Sequence, residues 1–320
     1  MRTVLTAFNA SPYLTILFKR CFDKWKSEID EMLVCLHSWN PAIDDENERI
    51  LKDPKVRFWR HPSYIELGEA LDHIYPHAKG DVIITIDSDN FIFDGGVIKK
   101  FAESIENNQY DAVGSKGNSG GGDLAEHLIN ETGFVRLNSF MSFWDKKKID
   151  SIDKWTFKRT YFKEDQIDDK IKELDWPICK LGWVDTCGIL TYKYLKKYPR
   201  VWDIKPTDEG YMHVGGLSTF HRSVLGENGM SVIDVKSNLL NGQVTNPHIL
   251  GWHLFLYEEA SGNCSLKWHN EKYKRCMEDR IKRASREVGS FLNIPNKVST
   301  MENEVSDEVN KIRANWRQKL

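Results

Sequence analysis

Apolar residues in this chain come in short runs, separated either by polar loops or by stretches in which they recur at helical spacing. Arg2 to Phe8 (RTVLTAF) reads as a first strand, followed by a loop over Asn9, Ala10, Ser11 and Pro12. From Tyr13 to Ile29, Leu14, Leu17, Phe18, Cys21, Phe22, Trp25 and Ile29 fall on one side of a helix, which predicts an amphipathic helix docked on a sheet. Met32 to His37 predicts a second strand, and Val56 to Trp59 a short third one. Between them Asn40 to Asp53 is polar and reads as a loop with a short surface helix. Glu66 to His77 predicts a helix that ends before Gly80. Strand and helix thus alternate in the manner of a doubly wound, mostly parallel α/β sheet.

The next stretch, DVIITIDSDN from Asp81 to Asn90, organises the rest. Val82 to Ile86 is continuously apolar or β-branched, as in a strand buried on both faces of a parallel sheet. It stops abruptly in Asp87, Ser88 and Asp89. Alternation along a strand puts Asp87 and Asp89 on one side and Ser88 on the other. Ligands of open α/β sheets bind at the carboxyl ends of central strands. Two carboxylates there repel unless a cation or a proton intervenes. Oxygen ligands suit a hard divalent ion such as Mg²⁺ or Mn²⁺, which often shares its shell with phosphate. A polar strand end running into a turn would use the same residue types.

Beyond Asn90, Gly95 and Gly96 are expected to break the chain before a helix over Val97 to Asn107, and Tyr110 to Gly114 reads as a strand. Gly114 to Asp123 (GSKGNSGGGD) has five glycines, without the spacing of a phosphate-binding loop, and suits a substrate-covering loop or a linker. Phe134 to Trp144 predicts a strand, Asp145 to Ile152 a helix start, and Ile167 to Leu174 a helix preceded by Glu164 and Asp165. Strand material surrounds Trp183 and Val184, and His213 stands beside a Gly-Gly pair. From Glu258 to Phe291 the chain is charged, with apolar residues at helical intervals. The last twenty residues are polar and are expected to fray.

Composition changes little in this picture. The 320 residues, 40% hydrophobic and 29% charged, describe an ordinary globular chain of one elaborated domain or two. A formal net charge of −2 excludes a general drive toward nucleic acid or anionic membrane. Locally, Lys267 to Arg286 carries eight basic and three acidic residues, enough to suit a polyanion but ordinary for a solvated helix face. None of the six cysteines forms a C-x-x-C pair, so a structural zinc is not expected. No run approaches the roughly 18 apolar residues of a membrane span, and the N-terminus lacks signal-peptide character. A cytoplasmic setting is expected.

The strand order, the Asp-x-Asp after the fourth strand and the distal His-Val-Gly-Gly together resemble a nucleotide-sugar glycosyltransferase of the GT-A fold, family 2-like, over about the first 225 residues. The resemblance implies an α/β nucleotide-sugar-binding half over 1–110, an acceptor-side half of the same domain over 111–225, and a mainly helical extension over 226–320. It assigns Asp89 as principal metal ligand with Asp87 as partner and His213 as the distal ligand, His221 being the runner-up. The nucleotide side would be lined by Phe8, Asn9, Asp87 and Ser88, with Phe8-Asn9 standing where most members have Tyr-Asn. Glu164-Asp165 matches the acidic pair of inverting members, in which one carboxylate takes the acceptor's proton; Asp168, Asp169 and Asp185 compete for that role. An acidic pair before a helix is also an ordinary cap. The processive Gln-x-x-Arg-Trp motif is absent, so the implied enzyme is non-processive.

The implied cofactors are Mn²⁺ or Mg²⁺ and the implied donor is a nucleotide-diphosphate sugar. The acceptor would be a hydroxyl, on a glycan or modified DNA. Two other functions compete. A sugar-phosphate nucleotidyltransferase would carry a glycine-rich, basic signature after the first strand, and FNASPYL has neither. A non-catalytic polyanion- or carbohydrate-binding protein would use the basic segment and show no response to nucleotides.

Overall fold

The computed structural model describes residues 1–9, 11–117, 120–121, 136–162, 182–184, 186–204, 210–214, 247–291 and 297–319. Its strands are β1 (Arg2–Phe8), β2 (Glu31–Leu36), β3 (Val56–Arg60), β4 (Val82–Ile86), β5 (Asn90–Ile92), β6 (Ala112–Gly117), β7 (Gly120–Gly121), β8 (Arg136–Asp145), β9 (Thr160–Phe162), β10 (Gly182–Val184), β11 (Val201–Asp203) and β12 (Tyr211–His213). The helices are α1 (Pro12–Trp25), α2 (Pro41–Leu51), α3 (Leu67–Ile74), α4 (Gly95–Glu106), α5 (Lys146–Asp150), α6 (Gly188–Lys197), α7 (Pro247–Ala260), α8 (Lys267–Phe291) and α9 (Lys297–Lys319). Contacts divide the chain into two compact units that interleave in sequence. The first comprises Met1–Phe8, Phe22–His37 and Lys52–His213, and the second Asn9–Cys21, Ser38–Leu51 and Val214–Leu320.

The first unit is built on a seven-stranded sheet of order β11-β6-β8-β4-β1-β2-β3. β1 pairs in parallel with β2 and β4, and β2 with β3, whereas β8 runs antiparallel between β4 and β6. The mostly parallel α/β sheet expected from the sequence is therefore present, with one reversed strand. All five residues of β4 and all six of β2 are buried, in keeping with strands covered on both faces. On one face Leu5, Ala7, Leu33, Cys35 and Ile83 join a core with Leu71 and Ile74 of α3 and with Tyr194 of α6. α3 is held close by Asp72, whose carboxylate accepts from the Phe157 N–H at 2.8 Å and from the Thr156 hydroxyl. Gly68 makes that approach possible, since a Cβ there would lie 2.2 Å from the Phe157 carbonyl oxygen.

Strand order reverses between β1 and β4. Their neighbours β2 and β8 lie on opposite sides, so the carboxyl ends of β1 and β4 flank the crevice where ligands of such sheets bind. The glycines at 95 and 96 open α4 rather than interrupting the chain. Asp94 caps them, its Oδ1 accepting from the Gly96 N–H at 2.8 Å. β6 continues through Gly117, into the stretch read as a flexible glycine loop, because Lys116 and Gly117 pair with Leu137 and Arg136.

The second unit is helical. Tyr13 of α1 donates its hydroxyl to Asn270 Oδ1 at 2.6 Å and meets the rings of His269 and Tyr273 of α8 edge-on, each at 5.0 Å. In α2, Glu46 takes the Ser265 N–H at 2.7 Å, the Ser265 hydroxyl at 2.5 Å and both arms of Arg49. The segment read as a loop with a short helix is thus an eleven-residue helix, with Ile43 and Leu51 buried. The frayed C-terminus expected from its polarity is corrected as well: Lys297–Lys319 is one helix. Val305, Val309, Ile312 and Trp316 are spaced by four, three and four, which builds a narrow apolar seam in an otherwise charged sequence. Trp316 meets Phe255 of α7 at 5.7 Å. Among the described residues no helix is long and apolar enough to cross a membrane.

Candidate active site

β4 ends at Ile86, and the chain turns at once: the Asn90 N–H donates to the Asp87 carbonyl at 3.1 Å. The two aspartates therefore lie on a turn rather than on a continuing pleat. Phe140 of β8 secures that turn through its carbonyl, which accepts the Asp87 N–H at 3.2 Å and the Asn90 side-chain amide at 2.7 Å. After the turn, β5 pairs antiparallel with β12, and the register sets His213 opposite Asn90. The pairing starts at Gly210, whose carbonyl accepts from the N–H of Phe93 at 2.8 Å and of Asp94 at 3.3 Å. Gly210 has φ +98°, and a Cβ there would sit 2.5 Å from Val97 Cγ2, so any other residue at this corner is strained.

That register brings a residue more than a hundred positions away to the acidic turn. Ligand atoms of Asp87, Asp89 and His213 all lie within 4.8 Å of one another, so the three can hold a metal ion. His213 Nε2 is 3.6 Å from Asp89 Oδ1, and the His213 ring stacks on Phe140 at 4.1 Å with an interplanar angle of 12°. Asp89 is nearly enclosed, with 6% of its side chain exposed against 26% for His213. The Ser139 hydroxyl reaches Asp87 Oδ2 at 3.4 Å.

The electrostatics fit a cation. Burial and the neighbouring charge of Asp89 push the Asp87 carboxyl well above the usual carboxylate range, against the lowering influence of His213, Arg136 and Ser139. Burial works against charge on His213, but the hydrogen bond to Asp89 and the charges of both aspartates outweigh it and raise its pKa. An acidic pair short of positive charge, with an imidazole alongside, is a donor set for a hard or borderline divalent ion.

The other residues singled out in the sequence are more dispersed. Ser88 lies partly exposed on the turn between the aspartates. Phe8 ends β1 with its side chain enclosed, 2% exposed, while Asn9 beside it is half-buried. Glu164, Asp165, Asp168, Asp169, Asp185 and His221 lie outside the described residues. Sequence reading missed the contribution of β8, namely Ser139 and Phe140. Only its antiparallel register places them beside the turn, and no spacing along the chain signals that.

Among solved structures, the S. aureus TarS 1-349 complex with UDP-GlcNAc matches at 16% identity and a TM-score of 0.43, covering 99% of this chain and 91% of that one. The mannosyltransferase PcManGT from Pyrobaculum calidifontis, in complex with GDP-Man and Mn²⁺, matches at 12% identity and a TM-score of 0.42, covering 97% and 86%. A 4-diphosphocytidyl-2C-methyl-D-erythritolsynthase from Anaerococcus prevotii matches at 12% identity and 0.41, covering 71% and 96%. Comparison with curated protein sequences gave no match. The family profile described as glycosyl transferase family 2 matches residues 3–169, just over half of the chain, and takes in the sheet strands β1 to β4 with the acidic turn that follows. On that match, with the sheet order and the acidic turn where the family resemblance requires them, the chain belongs to glycosyl transferase family 2.

Proposed function

We propose that this glycosyltransferase is a metal-dependent, non-processive enzyme that moves a sugar from a nucleotide-diphosphate donor to an acceptor hydroxyl with inversion. The observation that carries the reading is the convergence of Asp87, Asp89 and His213 at the carboxyl end of β4. Their donor set suits Mn²⁺ or Mg²⁺, and such an ion, when bound, supplies positive charge against the departing diphosphate. Asp89 and Asp87 serve as ligands from the turn and His213 from the opposing strand. The Phe140 ring fixes the imidazole plane, and Ser139 orients Asp87.

The nucleoside end of the donor meets the carboxyl end of β1, with Phe8, Asn9 and Ser88 around it. The enclosure of the Phe8 ring favours a supporting role there and leaves direct contact to Asn9. The acceptor oxygen attacks the anomeric carbon and forms the new C–O bond. The bond to the diphosphate oxygen breaks and its electron pair leaves with the diphosphate. The hydroxyl proton passes to Asp165, with Glu164 beside it in sequence. That assignment rests on the acidic pair's place along the chain.

A panel of UDP-, GDP- and dTDP-sugars, incubated with Mn²⁺ and candidate hydroxyl acceptors, tests the proposal. Release of nucleoside diphosphate that requires both metal and acceptor is expected for one donor, and the product's anomeric configuration by NMR reports inversion. Tight nucleotide-independent binding of glycans, with no diphosphate release from any donor, would overturn it.

A further inference from the structure

Along α4, Gly96, Lys99, Lys100, Glu103, Ser104 and Asn107 recur at alternating intervals of three and one, which sets them in a single row roughly 16 Å long. That row faces Trp202 of β11, the edge strand of the seven-stranded sheet, across a cavity of about 360 Å³. The volume lies within the range of about 300–1,000 Å³ typical of small-molecule sites. At the far end the chain turns back at Asn108, with φ 55°, and Gln109 and Tyr110 both donate their N–H to the Ser104 carbonyl, at 3.0 and 3.2 Å. Gln109 thereby lines the cavity together with Asn107. The near end, at Gly96, adjoins Val97, which packs on the Gly210 corner of the β5·β12 ribbon.

Two ammonium groups and one carboxylate leave the cavity with a single positive charge, and Lys99 stands 4.0 Å from Glu103. The Lys100 ammonium rests on aromatic faces, 4.8 Å above the Trp202 ring and 5.7 Å above that of Phe101. A carboxylate is a stronger partner for an ammonium than the face of an indole. A ligand that brings one draws Lys100 aside and opens the indole to an apolar surface of its own. Glu103, Asn107 and Gln109 offer acceptors and donors side by side, which suits hydroxyl groups because a hydroxyl is both. The Glu103 carboxylate disfavours a polyphosphate. One carboxylate, several hydroxyls and a flat C–H face describe a uronic-acid sugar.

We propose that the cavity between α4 and β11 binds an acidic sugar of a glycan, with its carboxylate on Lys100, its ring on Trp202 and its hydroxyls on Glu103, Asn107 and Gln109. As a holding site for the acceptor, the cavity rests on the transferase reading; as a glycan site it stands apart from it.

Trigalacturonate, maltotriose and inorganic pyrophosphate, each titrated calorimetrically into the full chain without metal or nucleotide, test it. The unmodified protein is expected to bind trigalacturonate about tenfold or more tightly than maltotriose, and pyrophosphate more weakly than trigalacturonate. Lys100→Gln should erase the preference for the acidic sugar, and Trp202→Leu should remove binding of both sugars. Trp202 also packs on Phe101 and Tyr110, so its replacement can cost stability. Asn107 and Gln109 are exposed, and the double change Asn107→Ala with Gln109→Ala should lower trigalacturonate affinity about tenfold with Tm nearly unchanged. No binding of trigalacturonate, an affinity untouched by these variants, or pyrophosphate bound as tightly would overturn the proposal. If no donor sugar releases its diphosphate while the variants still lose trigalacturonate, the transferase reading fails and the glycan site stands. If diphosphate is released and trigalacturonate does not bind, the glycan site fails alone.

Discussion

Asp87 and Asp89 illustrate how one residue's chemistry is set by the next. Close together and largely shielded from water, they do not readily carry two negative charges, and the cost falls on Asp87, whose pKa is raised by burial and by Asp89. A proton and a divalent ion therefore compete for the same oxygens. Protonation removes a ligand, so apparent Mn²⁺ affinity should fall as pH is lowered from about 8 to about 6, a dependence that calorimetric titration at several pH values would register. Asp89→Ala should abolish Mn²⁺-dependent nucleotide binding and leave the thermal transition nearly in place, because the residue lies on the turn after β4 rather than in the apolar core. His213→Ala should weaken Mn²⁺ binding more modestly; an unchanged affinity would remove the imidazole from the site. For the acidic pair, Asp165→Asn keeps the shape and capping ability of the side chain but loses its affinity for a proton. Transfer should fall by about 10²–10⁴-fold with donor affinity intact, whereas a mere helix cap would leave turnover nearly normal.

At the scale of elements, the small β5·β12 ribbon joins the acidic turn to its histidine. Its three-residue strands have few bonds to spare, so the register depends on the corner at Gly210. A side chain there meets Val97 at 2.5 Å and must also adopt φ +98°. Gly210→Ala is expected to cost roughly 1–3 kcal/mol of stability, in the range of backbone strain and local overpacking. It should also shift β12 and mimic His213→Ala in its Mn²⁺ affinity. The pairing of the two losses is the informative result. A stability loss with unaltered metal binding would mean that His213 finds its place without the corner. β8 works in the same way at greater length, since its antiparallel register delivers Ser139 and Phe140 to one turn.

For the molecule as a whole, the helical unit is assembled from three separate pieces of chain, and Glu46 shows what holds two of them. Burial by itself would raise its pKa. The hydrogen bonds from Arg49 and from Ser265 outweigh that and bring it down to about 2. A carboxylate depressed in the folded state contributes stability above its ordinary pKa of 4.5 and loses it as pH falls toward the folded value of about 2. Glu46→Gln should accordingly destabilise the protein at neutral pH by roughly 1.5–3 kcal/mol, the range for hydrogen bonds to charged groups. The gap to the unmodified protein should close between about pH 4.5 and about pH 2. Urea unfolding across that interval measures it, and a gap independent of pH would mean that charge on Glu46 contributes nothing.

Much of the architecture is written in local pattern. Continuous apolar runs such as Val82–Ile86 have one economical fate, a strand covered on both faces, and the alternation with helices implies the parallel sheet. The acidic pair was legible too, through residue type and its place after a buried run, but not the turn it lies on, and His213 came only with the family resemblance. What the pattern left open is whatever depends on pairing between distant segments. A narrow seam of Val305, Val309, Ile312 and Trp316 is too sparse to outweigh the surrounding charge until α7 covers it, so the last helix reads as a frayed tail in isolation. Segments 9–21 and 38–51 carry no mark that they belong with the C-terminal helices, because the contacts of Tyr13 and Glu46 span more than two hundred residues. Likewise Phe140 is one phenylalanine among 15 in the sequence, and only strand register, a property of two paired strands rather than of either segment, brings its carbonyl to the Asp87 N–H.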